Sequence, residues 1–141
     1  MAPERVLIWT RTRSHLEMER RINTRQKAAI RDAFLEADRP LSPDEVLEGA
    51  QRHHPGLGKA TVYRNIQSLL EEGWLQPVEI PGDSARYEVA GKEHHHHFRC
   101  NLCKRLYELH GCMPFKPKLP RGFRATGHEF FLYGLCARCN H

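Results

Sequence analysis

Residues 59–89 read KATVYRNIQSLLEEGWLQPVEIPGDSARYEV. In the first half Val62, Ile66, Leu69 and Leu70 recur at helical spacing, which predicts a helix from Lys59 to Glu72 with one apolar face. Gly73 supplies the stop, because glycine accepts the left-handed conformation that closes a helix C-terminus. Trp74–Val78 and Ala85–Val89 then read as two strands around the turn Pro81-Gly82-Asp83. Upstream, TRQKAAIRDAFLEA (24–37) predicts another helix, with Thr24 as N-cap and Ala29, Ile30, Ala33, Phe34 and Ala37 inward. Arg39-Pro40 ends it. Ser42-Pro43-Asp44-Glu45 starts a third: an N-cap, proline at the first helical position and a carboxylate at the third. Val46, Leu47 and Ala50 face inward there, and Pro55-Gly56 terminates the segment. Three helices followed by a hairpin describe a winged helix-turn-helix, whose third helix enters a DNA major groove. The outward face of that helix offers Thr61, Tyr63, Arg64, Asn65 and Gln67, side chains suited to phosphates and base edges.

Ala90-Gly91-Lys92-Glu93 reads as a hinge. It divides a DNA-binding domain with a basic N-terminal extension (1–89) from a second, β-rich domain (94–141). Strands are predicted from His95 to Cys100, around Leu106, Tyr107 and Leu109, and from Phe123 to Tyr133. Three prolines between 114 and 120 leave room only for a short or broken helix. The fold class expected is α+β.

The second domain carries the chemistry. His94, His95, His96 and His97 precede Cys100 and Cys103, and a second CxxC pair, Cys136 and Cys139, follows after 32 residues. Two CxxC turns can close a tetrahedral site around structural zinc, since each turn lets two thiolates bite one ion. Cys112 is the odd thiol, either free or a ligand of a second site. If residues 94–97 are extended, alternation puts His94 and His96 on one face and His95 and His97 on the other. His94 and His96 could then join His128, while His95 and His97 could join Glu88 from the wing and Glu108 beyond the knuckle. A metal held by Glu88 and the second domain would fix the angle between the domains and so gate DNA binding. His53 and His54, at the end of the second helix, read as solvated surface.

Charge is distributed unevenly. Residues 1–31 carry eight Arg/Lys against three Glu, residues 32–80 four against nine acids, and residues 81–141 ten against five. The basic start could meet phosphates. MAPERVLIWTRTRS lacks the long apolar core of a secretory leader, and no apolar run approaches the ~20 residues of a membrane span. A cytoplasmic protein with reduced thiols and no membrane partner is therefore expected.

Together these residues resemble the Fur family of metal-responsive repressors, the ferric uptake regulator and its zinc, manganese, nickel and peroxide-sensing relatives. The resemblance spans roughly 21–139. Ala60-Thr61-Val62-Tyr63-Arg64 is similar to the family's recognition-helix motif. His94–His97 with Cys100 and Cys103 is similar to its HH(D/H)H-x₂-C-x₂-C, and Gly127-His128 through Leu132-Tyr133-Gly134-Leu135-Cys136 to its closing strand. The resemblance implies a winged helix plus a β-rich dimerisation domain, acting as a homodimer on AT-rich palindromic double-stranded DNA. It implies DNA contacts from Tyr63 and Arg64, and structural zinc on Cys100, Cys103, Cys136 and Cys139. It also implies an interdomain regulatory site from Glu88, His95, His97 and Glu108, and a third site from His94, His96 and His128.

Two positions depart from the family pattern. Pro40 stands where a histidine of the DNA-binding domain usually reaches the regulatory site, so Glu79, Asp83, His53 or His54 would have to substitute, or the site is completed only from Glu88 onward. Residues 109–127 contain no Asp or Glu, so Cys112 or His110 would replace the third site's carboxylate, or that site is absent. The regulatory metal expected is zinc or iron(II), ahead of manganese: His96 stands where the family's iron sensors commonly have Asp, which leans toward zinc, and Glu88 where many of its zinc sensors have Cys, which leans toward iron. A metal-dependent repressor is the leading reading. The alternatives are a redox- or peroxide-responsive DNA-binding regulator using the zinc thiolates, and a zinc hydrolase. The chain lacks HExxH and HxE…PCxxC arrangements, which counts against a zinc hydrolase or deaminase, and no enzyme is expected.

Overall fold

The computed structural model describes residues 13–114 and 116–140. Three helices come first: α1 (Arg13–Ala37), α2 (Pro43–Gln51) and α3 (Lys59–Glu71). A hairpin of β1 (Leu75–Val78) and β2 (Arg86–Val89) follows, then β3 (His96–Cys100), β4 (Leu106–Leu109) and β5 (Phe131–Gly134). The architecture is α+β. Strands β1 and β2 pair antiparallel, with Gln76 opposite Glu88. The second sheet runs β4-β3-β5, with β4 antiparallel and β5 parallel to β3. An isolated bridge from Leu41 to Tyr87 ties the entry to α2 onto the wing.

The apolar stripes meet in one core. Ala29, Ile30, Ala33 and Phe34 of α1 pack on Val46 and Ala50 of α2 and on Val62, Ile66 and Leu69 of α3. Phe34 meets Trp74 edge-on, at 6.2 Å between ring centroids. The start signal at Ser42 and the stop signal at Gly73 operate as expected. Ser42 Oγ accepts from the Glu45 N–H at 3.2 Å while Ser42 N–H donates to the Glu45 carboxylate at 2.9 Å, a complete capping box. Gly73, at φ 72°, closes α3 with hydrogen bonds from its own N–H to Leu70 and from Trp74 to Leu69. Gly82, at φ 74°, makes the wing turn after Pro81.

Gly49 marks a close approach of α2 to α1. A Cβ there would lie 3.0 Å from the Ala33 Cβ. Replacing Gly49 by valine is therefore expected to lower stability by about 1–3 kcal/mol through overpacking. Urea titration followed by circular dichroism checks this, and an unchanged midpoint would contradict it.

Two elements differ from expectation. Helix α1 begins by Arg13 rather than near Thr24, because residues 13–23 are helix formers with i,i+4 pairs such as Arg13–Glu17 at 3.7 Å. Thr24 is thus no N-cap; its hydroxyl donates back to the Arg20 carbonyl at 2.8 Å within the helix. The closing strand covers only Phe131–Gly134 instead of Phe123–Tyr133. Its partner β3 is five residues long, so residues 123–130 have no ladder to join.

Several contacts join the two parts of the chain. Val78 and Ile80 pack on Leu106 with Phe131 against them, and Arg99 of β3 bonds Asp83 of the wing turn at 2.5 Å. The Arg39 guanidinium lies over the Tyr107 ring at 5.6 Å. Among the described residues no helix is long and apolar enough to cross a membrane.

Candidate metal centres and nucleic-acid interface

Strand β3 and the residues just before it present alternate histidines to opposite sides. His95 and His97 fall on one side, where Glu88 reaches them from the wing. Glu88 is buried at 2 % exposure, with His95 Nε2 at 3.0 Å and His97 Nε2 at 3.2 Å from its Oε2. Gln76, its cross-strand neighbour, donates to Oε1 at 2.8 Å. Burial pushes the Glu88 carboxyl up, but the bonds from His97, Gln76 and His95 outweigh it and hold the pKa at about 2. His95 is oriented from behind: its Nδ1 lies 2.7 Å from the Glu93 carbonyl. That contact has Nδ1–H donating to the carbonyl and turns Nε2 toward Glu88, so Nε2 is the nitrogen an ion would take in exchange for its proton.

Glu108 sits opposite His97 in the β3–β4 register and on the same face. Its Oε1 comes within 3.9 Å of His95 Nε2. The carboxylate is engaged by the Lys92 ammonium, which also lies 3.4 Å from Asp38 at the end of α1. The tight set is therefore Glu88, His95 and His97, with Glu108 adjacent and ion-paired. Among the described residues none of the candidates to stand in for Pro40 joins it: Asp83 pairs with Arg86 and Arg99, His53 pairs with Glu36 at 2.7 Å, and neither Glu79 nor His54 belongs to the cluster. Glu79 lines the wider pocket of about 450 Å³ into which both faces of the histidine run open.

His94 and His96 occupy the other side and meet His128 from the segment before β5. His94 Nε2 and His128 Nε2 are 3.2 Å apart. Cys112 Sγ completes a four-donor cluster; His110 is exposed and lies outside it. His96 is buried, and that burial with the neighbouring imidazoles of His94 and His128 lowers its pKa.

At the far end of β3, Cys100, Cys103, Cys136 and Cys139 bring four sulfurs within 4.8 Å of one another. The Cys103–Cys136 separation is 3.8 Å. A tetrahedral ion with Zn–S bonds of about 2.3 Å holds its sulfurs about 3.8 Å apart, so the donor set fits zinc. Backbone N–H groups aim at these sulfurs, as from Cys136 to Cys100 at 3.4 Å. That bond and those from Cys103 and Leu102 pull the Cys100 thiol down to about 6 against the opposing effect of burial. Burial and the neighbouring thiols push Cys139 up to about 12, so the four cannot all ionise without a cation. The Tyr107 hydroxyl bonds Cys136, and burial plus that sulfur raises the phenol to about 12. Neither Tyr107 nor Lys92 carried a sequence signal; Gln76 could have been found by aligning the hairpin strands across their turn.

The outward face of α3 lies apart from these clusters. Tyr63 is half-exposed, and Arg64 Nη2 donates to Thr61 Oγ1 at 3.2 Å. Gly58 gives α3 no side-chain cap, which leaves its first N–H groups available to an anion. A groove lined by Lys27 and Asn23 of α1 and by Thr61, Arg64 and Asn65 of α3 adjoins this face.

The sequence model of the Ferric uptake regulator family matches residues 20–130. The chain is similar to the ferric uptake regulation protein of Campylobacter jejuni, at 28 % identity over 124 residues, covering 84 % of this chain and 79 % of that one. The peroxide operon regulator of Bacillus subtilis is similar at 23 % identity over 123 residues, covering 83 % of each. Among solved structures, the fold matches a zinc-bound manganese uptake regulator with a TM-score of 0.65 at 20 % identity, covering 79 % of this chain and 87 % of that one. It also matches the Helicobacter pylori ferric uptake regulator, which has three functional metal binding sites, with a TM-score of 0.58 at 22 % identity over 91 % of each chain.

Proposed function

The chain belongs to the ferric uptake regulator family, and from that premise we propose that it is a homodimeric repressor whose grip on DNA is set by a regulatory metal. One observation carries this reading: Glu88 of the wing strand touches both His95 and His97 across the hinge at 3.0–3.2 Å. An ion bound there would hold the wing against the second sheet and so fix where α3 points. Zinc or iron(II) suits two imidazoles and a carboxylate better than manganese. The four cysteines would hold zinc structurally, and Thr61, Tyr63 and Arg64 would meet double-stranded DNA.

A second copy of the chain supplies the symmetry of a palindromic operator. β5 is an edge strand, and Leu132, Tyr133 and Leu135 on it and after it are 41 %, 48 % and 49 % exposed. Edge strands with exposed apolar residues are normally covered, and a partner subunit would do so.

Fluorescence anisotropy with DNA from the protein's own upstream region tests the reading. The regulatory metal is removed with mild chelator, and Zn²⁺, anaerobic Fe²⁺ and Mn²⁺ are restored singly. A sharp gain in affinity with one metal is expected. Equal binding with and without metal would overturn the reading in favour of a constitutive or redox-controlled DNA binder. Within the same assay Arg64→Ala is expected to weaken DNA binding by about 1–3 kcal/mol, roughly 5- to 150-fold, with metal binding unchanged. Unaltered affinity would remove α3 from the interface.

A further inference from the structure

Cys112 was the one thiol without a partner in the CxxC pattern, and the structure surrounds it with imidazoles. Its Sγ lies 3.0 Å from His128 Nε2, 3.2 Å from His96 Nε2 and 3.5 Å from His94 Nε2. These three nitrogens come from two separate segments, yet all present Nε2 to the same sulfur. The backbone is shaped to deliver it. Gly111, at φ 87°, turns the chain back after β4, and a residue with a Cβ would be strained there.

We infer that Cys112 is a metal ligand and makes His94, His96, Cys112 and His128 a tetrahedral His₃Cys centre selective for zinc-like cations. The inference rests on the metal-regulator reading only for the presence of a metal. With Zn–N of about 2.0–2.1 Å and Zn–S of about 2.3 Å, tetrahedral geometry places N and S about 3.5 Å apart and neighbouring nitrogens about 3.3 Å apart. The observed 3.0–3.5 Å lies within about 0.5 Å of these values. The donor chemistry decides the metal class. A carboxylate in this place would suit iron(II) or manganese, whereas a thiolate with three imidazoles favours zinc and discriminates against the harder ions. No carboxylate between residues 109 and 127 competes for the position. The centre lies on the opposite side of β3 from Glu88, so the two sites can select different ions from one strand.

Cobalt(II) titration of the full chain, with zinc retained on the four cysteines, tests this. Thiolate-to-cobalt charge transfer in the near ultraviolet reports a sulfur ligand, and visible d–d bands report tetrahedral geometry. The wild type is expected to show both. Cys112→Ser should lose the charge-transfer band and bind this cobalt about tenfold or more weakly, with circular dichroism and one retained zinc showing an intact fold. Cys112→Glu should recover binding without the band and shift preference toward Mn²⁺ and Fe²⁺. Glu88→Ala should keep the band, since that site has no thiolate. A band that persists in Cys112→Ser, or its absence in the wild type, would overturn the inference. Because no DNA enters the assay, such a failure leaves the metal-gated DNA-binding reading standing, and a failure of the anisotropy test leaves this one standing.

Discussion

Cys136→Ser is expected to release one zinc per chain and to melt the three-stranded sheet while the helical part stays folded. The reason is how little apolar material the sheet has of its own. Its core is Leu106, which packs with Val78 and Ile80 from the wing and Phe131 from β5. Leu132, Tyr133, Leu135, Phe123 and Phe130 are on the surface. Three short strands with one buried leucine cannot offset the conformational entropy of ordering them. The four thiolates supply what the core lacks: they pin the start of β4, the end of β3 and the segment after β5 to one point. Structural zinc contributes on the order of 10 kcal/mol to such small folds. Cys136 is the informative position because its sulfur bonds Tyr107, whose ring in turn carries the Arg39 guanidinium. The winged helix should survive, since Ile30, Phe34, Val46, Val62 and Leu69 make its core without any residue of the second sheet. Metal analysis and a two-step thermal melt check both halves. A variant that keeps its zinc, or that melts in one step with the helices, would contradict the account.

Sequence and structure agree where local rules are strong and part where distant segments decide. The capping box at Ser42 and the glycine stop at Gly73 are local chemistry, so both were legible residue by residue. So was the alternation of His94 to His97, because the pleat alone divides them between two faces. The β3–β4 register then places Glu108 opposite His97. What the pattern could not reveal is that Lys92 claims that carboxylate while also reaching Asp38, which depends on how the hinge lies against the end of α1. The extent of α1 was missed because Thr24 looks like a cap, and only its back-bond to Arg20 shows the helix passing through. The stretch before Phe131 is rich in aromatic residues and reads as strand, but a strand needs a neighbour, and β3 is too short to provide one. Cys112 was ambiguous in sequence because its ligand geometry is built by a turn at Gly111 and by His128, sixteen residues away.

Removing the Glu88 carboxylate is expected to abolish metal-stimulated DNA binding while leaving metal-free affinity and fold intact. Glu88 is the one member of its cluster that belongs to the wing; His95 and His97 belong to the hinge and the second sheet. Loss of either histidine would weaken an ion's hold, but loss of Glu88 would sever the connection between the domains even if an ion still bound. The metal-free state should be little changed, because other contacts already join the two parts. Lys92 bridges Asp38 and Glu108, Arg99 bonds Asp83, and Arg39 lies over Tyr107. These hold the domains near one another, and the proposed ion would narrow the remaining freedom, which is the differential effect that gating requires. Couplings of this kind are about 1–3 kcal/mol, or 5- to 150-fold in DNA affinity, and Glu88→Ala should lose that whole factor. Substitution by glutamine separates charge from shape: it keeps the hydrogen bonds to the imidazoles but gives up the anionic oxygen an ion needs. Both variants should therefore bind DNA at the chelator-treated level whatever metal is added, with Cys112-dependent cobalt spectra unchanged. If either still gains affinity on metal addition, the wing is held by some group other than Glu88, and Lys92 with Glu108 becomes the place to look.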